Sequence, residues 1–166
     1  QTWGNWTNAG PSNIEFVNAI VTPSLPGLEA SAYEGQYWID LVGTGAPSSI
    51  YQDLVTIAGS QYEVSFAFAG NVWGGRQIMN MSTLWNGSVQ GSYQHNTAGH
   101  TGFDMGWTVP PCVVTGTAPA RLMFRATSGS NAAGPALDDV RIQLIPSPAS
   151  ISLLAAAALF TVRRRR

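Results

Sequence analysis

Residues 61–70 alternate in size and polarity: Tyr62, Val64, Phe66 and Phe68 fall on one face, and Glu63, Ser65, Ala67 and Ala69 on the other. A period of two belongs to an extended strand with one face against a core, whereas an amphipathic helix would repeat every 3.6 residues. The same reading gives strands at 14–17, 37–42, 50–57, 78–85, 106–115, 121–127 and 137–145. Turn residues separate them: Gly43 to Pro47, Ala58 to Ser60, Gly74-Gly75, Asn86-Gly87, Gly116 to Pro119 and Ser128 to Asn131. Residues 1–145 contain no convincing amphipathic helix and no internal repeat. Short strands at this spacing predict an all-β domain, an antiparallel β-sandwich or jelly roll.

The charges narrow the function. Charged residues make up 10 % of the 166, against about 25 % in ordinary globular chains. The chain has no lysine, and four of its eight arginines form the terminal run Arg163, Arg164, Arg165 and Arg166. Without that run, four arginines face nine acids, a body charge near −5. A mildly acidic body lacks the basic footprint of a nucleic-acid binder. The single cysteine, Cys112, excludes an intrachain disulfide and a multi-cysteine zinc site. It reads as a small buried apolar residue, with pairing between chains as the alternative.

The two ends differ. The chain opens Gln1-Thr-Trp-Gly-Asn-Trp, with no initiator methionine, basic segment or apolar segment of a signal peptide. This start is expected to be a truncation point. At the other end, Pro146-Ser147-Pro148 leads into an uncharged run from Ala149 to Val162 and then the four arginines. As a helix, that run would cover roughly 21 Å, short of a ~30 Å hydrocarbon core. Snorkelling arginines and local thinning narrow the gap, and the arginines would stay cytoplasmic. A last core helix is the alternative, but the run shows no polar face.

The tail resembles the PEP-CTERM family of bacterial sorting signals: a proline motif, a brief apolar helix and an arginine cluster. Serine stands where that family has glutamate. The resemblance implies an exosortase-type processing enzyme, transient membrane anchoring through 146–166, and export to the cell surface or extracellular matrix. The body resembles the choice-of-anchor C domain. The matching segments are Glu34-Gly-Gln-Tyr-Trp-Ile-Asp-Leu-Val-Gly43, Ile50-Tyr-Gln-Asp53, Tyr62-Glu-Val-Ser-Phe-Ala-Phe-Ala-Gly-Asn71, Met105-Gly-Trp107, Leu122-Met-Phe124 and Gly134-Pro-Ala-Leu-Asp-Asp-Val140. This implies a galactose-binding-like sandwich over 1–145, without the family's opening strand. It also implies a structural Ca²⁺ near Asp138, shared with a glutamate of that strand.

Catalysis is not expected. The chain has no nucleophile elbow, zincin motif or phosphate-binding loop, and no spacing singles out a glycosidase carboxylate pair. His95, His100 and Asp104 could hold zinc, but they fall in a polar, glycine-bearing stretch that reads as a solvated surface loop. On a regular last strand, Asp138 would share the core side with Val140, Ile142 and Leu144, and would need a partner there. Backbone N–H groups are the alternative to calcium. Stacked aromatic rings bind sugars through axial C–H groups on the π face. Trp73 leads the candidates because its flanks read as an exposed loop; Trp85, Tyr93 and Trp38 follow. Asn71 belongs to the same loop, and Gln77, Asn80 and Asn86 could supply planar hydrogen bonds. Trp6 and Trp107 are expected in the core. The reading that results is an exported, non-catalytic carbohydrate-binding module. The alternative is a matrix or adhesion protein with no small ligand.

Overall fold

The computed structural model describes residues 2–3, 5–19, 30–74, 77–130 and 132–147. The strands are β1 (Thr2–Trp3), β2 (Trp6–Asn8), β3 (Glu15–Asn18), β4 (Tyr37–Asp40), β5 (Ser49–Leu54), β6 (Gln61–Gly70), β7 (Ile78–Trp85), β8 (Ser88–Asn96), β9 (Cys112–Thr115), β10 (Ala120–Ala126) and β11 (Pro135–Leu144). One 3₁₀ turn, Val72–Gly74, follows β6. Two antiparallel sheets face each other, in the orders β1-β2-β5-β10-β7-β8 and β3-β4-β11-β6-β9. The expected all-β sandwich is what forms. The apolar helix expected at 149–162 lies outside the described residues, as do Pro148 and the terminal arginines. Among the described residues, no helix is long and apolar enough to cross a membrane.

The alternation of β6 does what a period of two requires. Val64, Phe66 and Phe68 point between the sheets and meet Ile50, Met81, Trp85, Leu122 and Phe124 from the other layer. Phe66 packs edge-on against Phe124, with ring centres 4.9 Å apart, and against Tyr93 at 5.2 Å. Cys112 is buried in this core, and burial pushes its thiol pKa up.

The outer face of the five-stranded sheet carries a second, smaller core. The register sets Val17 opposite Trp38, Asp40 opposite Ala136 and Ala136 opposite Ala69, so these side chains share one face. Val17, Trp38, Ala69 and Ala136 pack there with Ala30 and Met105 from the loops. Two loops close over it: Ser31 N donates to Gly102 O at 2.6 Å, and the Trp107 indole N–H to Ser31 O at 3.0 Å.

The structure corrects several expectations. Strand β8 (Ser88–Asn96) was not expected, because its residues are mostly polar and its core-facing ones are interrupted by Gly91. It joins β7 through Asn86 and Gly87, both at positive φ, as a two-residue hairpin needs. The segment 106–115 is a strand only from Cys112, since its first half belongs to the loop over the second core. The last strand is not regular. A bulge between Asp138 and Arg141 adds one residue, with Asp139 at φ 45°. Ile142 and Leu144 sit opposite Val64 and Tyr62, whereas Asp138 sits opposite Ala67. Asp138 therefore faces outward, away from the inter-sheet core.

Candidate functional site

The loop after β6 is built from a buried acid. Asp40 ends β4 on the outer face and is completely buried. Its Oδ1 accepts the Val42 N–H at 2.7 Å. Its Oδ2 accepts Asn71 Nδ2–H at 2.7 Å and the Gly134 N–H at 3.2 Å. Desolvation pushes the Asp40 pKa up to about 6, against the opposing pull of those three hydrogen bonds; Glu15 adds a smaller upward push. Asn71 also donates to Ala132 O at 3.2 Å, and its Oδ1 accepts the Trp73 N–H at 2.9 Å. One chain of hydrogen bonds thus runs from the core acid to the backbone of Trp73.

That chain fixes the backbone from which the indole projects. Trp73 is 38 % exposed, and its inner edge rests on Trp38, with ring centres 6.4 Å apart. Trp38 in turn meets Trp107 at 6.2 Å, and Trp107 meets Tyr33 at 6.3 Å. A part-exposed indole backed by other rings can meet the apolar face of a ligand.

The other expected site residues divide. Trp38 and Trp85, at 1 % and 6 % exposure, are core residues, and Trp85 spends its N–H on Thr115 O. Neither presents a face to solvent, because each lies on a strand and is covered by the layer above it. Tyr93 is half-buried against Phe66 and Phe68. Asn71 is 1 % exposed and spent on the loop, so it positions Trp73 and does not reach a ligand. The Gln77 side-chain N–H donates to the carbonyl of Gly74, the residue after Trp73. Asn80 pairs with Gln94 on the outer face of the other sheet, and Asn86 holds the hairpin to Arg121 N and Thr117. Trp6 and Trp107 are half-buried and pack against the first and second cores.

His95, His100 and Asp104 do not form one solvated loop. His95 is on β8 and 7 % exposed, because β8 turns it inward toward Phe68. His100 and Asp104 are on the loop that follows.

Asp138 accepts three backbone N–H groups: Tyr33 and Glu34 on Oδ2, at 2.8 and 3.0 Å, and Asp139 on Oδ1, at 2.7 Å. Its acidic neighbours Asp139 and Glu34 are bound to Arg141 at 2.6 and 2.7 Å. A calcium ion needs six to eight oxygen ligands. Among the described residues no three His, Cys, Asp or Glu side chains are placed to hold a metal. Both Asp138 oxygens are engaged by backbone N–H groups.

Sequence reasoning passed over four exposed aromatics: Phe16, Tyr33, Tyr37 and Phe103. Phe16 and Tyr37 edge a cleft of about 210 Å³ between β2 and the β3–β4 edge, floored by Ile50 and Leu137, with Asp138 and Asp139 on its rim. Only the length of the flanking strands could have signalled it: strands as short as β2 and the edge strand β3 leave the core open at its side.

No protein-family model and no curated protein sequence matches the chain. Its fold does match solved structures. The CBM22-1 xylan-binding domain from Paenibacillus barcinonensis superposes with TM-score 0.58 at 18 % identity, over 86 % of this chain and 87 % of that one. TmCBM61 in complex with β-1,4-galactotriose gives 0.53 at 17 %, over 84 % and 88 %. A family 35 carbohydrate binding module from an environmental isolate gives 0.52 at 17 %, over 83 % and 95 %. The chain has the jelly-roll fold of these modules.

Proposed function

We propose that this chain is a non-catalytic glycan-binding module that works at the outer surface of a bacterial cell or in its matrix. The observation that carries the reading is Trp73, a part-exposed indole at the loop end of the sandwich whose backbone is held by Asn71 and Asp40 and whose ring is backed by Trp38. A sugar ring lies on its outer face. Few polar groups are left to assist, since Asn71 is committed to the loop. Single-site binding is therefore weak, and many copies on one surface supply the strength. That the chain shares the fold of a xylan-binding domain and of a module solved in complex with β-1,4-galactotriose supports the ligand class.

Delivery belongs to the same proposal. Pro146, Pro148 and Arg163 to Arg166 act as a sorting signal, recognised by an exosortase-type enzyme while the apolar run sits in the membrane. The sequence of the tail supports this. The test is a glycan array probed with the full chain and with Trp73→Ala. Binding that needs Trp73 sustains the reading. A folded chain that binds no glycan moves the function to matrix or adhesion contacts between proteins.

A further inference from the structure

We infer that His95 and His100 form a two-histidine site for a borderline transition-metal cation such as Zn²⁺, Ni²⁺ or Cu²⁺. Two orphaned nitrogens carry the inference. Among the described residues, His95 Nε2 and His100 Nδ1 are both buried and neither has a hydrogen-bond partner. Buried polar atoms without partners are uncommon, and two on adjacent imidazoles call for a shared occupant. The ring centres lie 5.1 Å apart, with planes tilted by 33°.

That spacing is what two imidazoles on one tetrahedral ion require. A metal–nitrogen bond of about 2.0–2.1 Å places each ring centre about 3.2 Å from the ion, and hence the two centres about 5.2 Å apart. Imidazole suits these metals, and water fills the remaining positions.

The surroundings hold the rings in place. The His95 ring also bonds the Met105 backbone, which leaves Nε2 as its open nitrogen. A second nitrogen engaged by backbone is the usual support of a metal-bound histidine. Gly106 lies under the His100 ring, and a Cβ there would collide with it. The loop is tied by His100 N to Thr97 O at 3.1 Å and by paired bonds between Thr101 and Asp104. The Asp104 carboxylate, 4.0 Å from His100 Nδ1, adds negative charge on the solvent side. His100 is partly exposed, which gives the ion a way in.

The test is calorimetric titration of the untagged full chain in mild detergent with ZnCl₂, alongside the visible spectrum on adding Co²⁺. One equivalent of metal is expected, with a shift of the Co²⁺ bands toward tetrahedral geometry and a melting temperature that rises with zinc. His100→Ala is expected to weaken binding by about tenfold or more and to remove the zinc-dependent rise. Its own melting temperature without metal should stay near that of the unaltered chain, so the variant remains readable. His95→Gln, which changes a buried ring, serves as the second variant. Absence of metal uptake by the unaltered chain, or uptake that His100→Ala leaves unchanged, overturns the inference.

Discussion

Two regions of this sandwich expose aromatic rings, and they are built differently. At the loop end, Trp73 is mounted on a hydrogen-bond chain that starts at a fully buried acid. At the side, Phe16 and Tyr37 edge a cleft where the main core is left open between short strands. The acids on the rim of the cleft are already committed, Asp139 to Arg141 and Asp138 to backbone N–H groups. Its floor is core. The contrast teaches that an exposed ring does not make a platform. A platform needs an orientation fixed from behind, and at the loop end Trp38 backs the Trp73 ring.

The largest effect expected from this contrast is on pH. Asp40 has a folded pKa of about 6, above its ordinary 3.8, so the native state holds its proton more tightly than the unfolded chain. Its contribution to stability is fully present below pH 3.8 and is lost as pH rises through 6. The swing is about 3 kcal/mol. Urea midpoints between pH 4 and 7 should fall with rising pH, and Asp40→Asn should flatten that slope. An unchanged slope in Asp40→Asn would detach the acid from the loop's energetics.

Slightly smaller is Asn71→Ala. It strips one donor from a buried carboxylate and the acceptor from Trp73 N, at a cost of about 2–3 kcal/mol measured by urea unfolding. Glycan affinity should fall with it, although Asn71 touches no ligand. Stability loss with intact affinity would show that the hydrogen-bond chain does not set the indole.

In the cleft, Phe16→Ala with Tyr37→Ala should cost about 1 kcal/mol of stability, because both rings are only half covered. Glycan affinity should stay within about twofold, since the Trp73 ring is left in place. The smallest effect belongs to Arg141→Gln, an exposed ion pair whose loss should change stability by less than about 1 kcal/mol, and less still in high salt.

How much of this was legible follows from which forces are local. Strands β6 and β7 could be read to the residue, because the large side chains that fill the inter-sheet core alternate with others in the sequence and turn residues bound both runs. Strand β8 could not, since an edge strand facing water need not be apolar. The bulge at Asp139 was hidden as well. One inserted residue inverts every later side chain, and nothing local in Leu137-Asp-Asp-Val140 marks it. Trp73 was readable as a loop residue from its glycine neighbours. The role of Asn71 was not, because its partner Asp40 lies 31 residues away in the chain. The orphaned nitrogens of His95 and His100 needed the fold for the same reason: β8 and the following loop bring the two rings together.

The central claim, that the Trp73 indole is the glycan platform, is tested most directly by calorimetry. The full chain, Trp73→Ala and the Phe16→Ala, Tyr37→Ala pair are titrated with the best ligand from the array. The account predicts that Trp73→Ala loses about 2 kcal/mol of binding, roughly thirtyfold, while the cleft variant binds like the unaltered chain. Full affinity in Trp73→Ala, with the loss falling on the cleft variant instead, would contradict it.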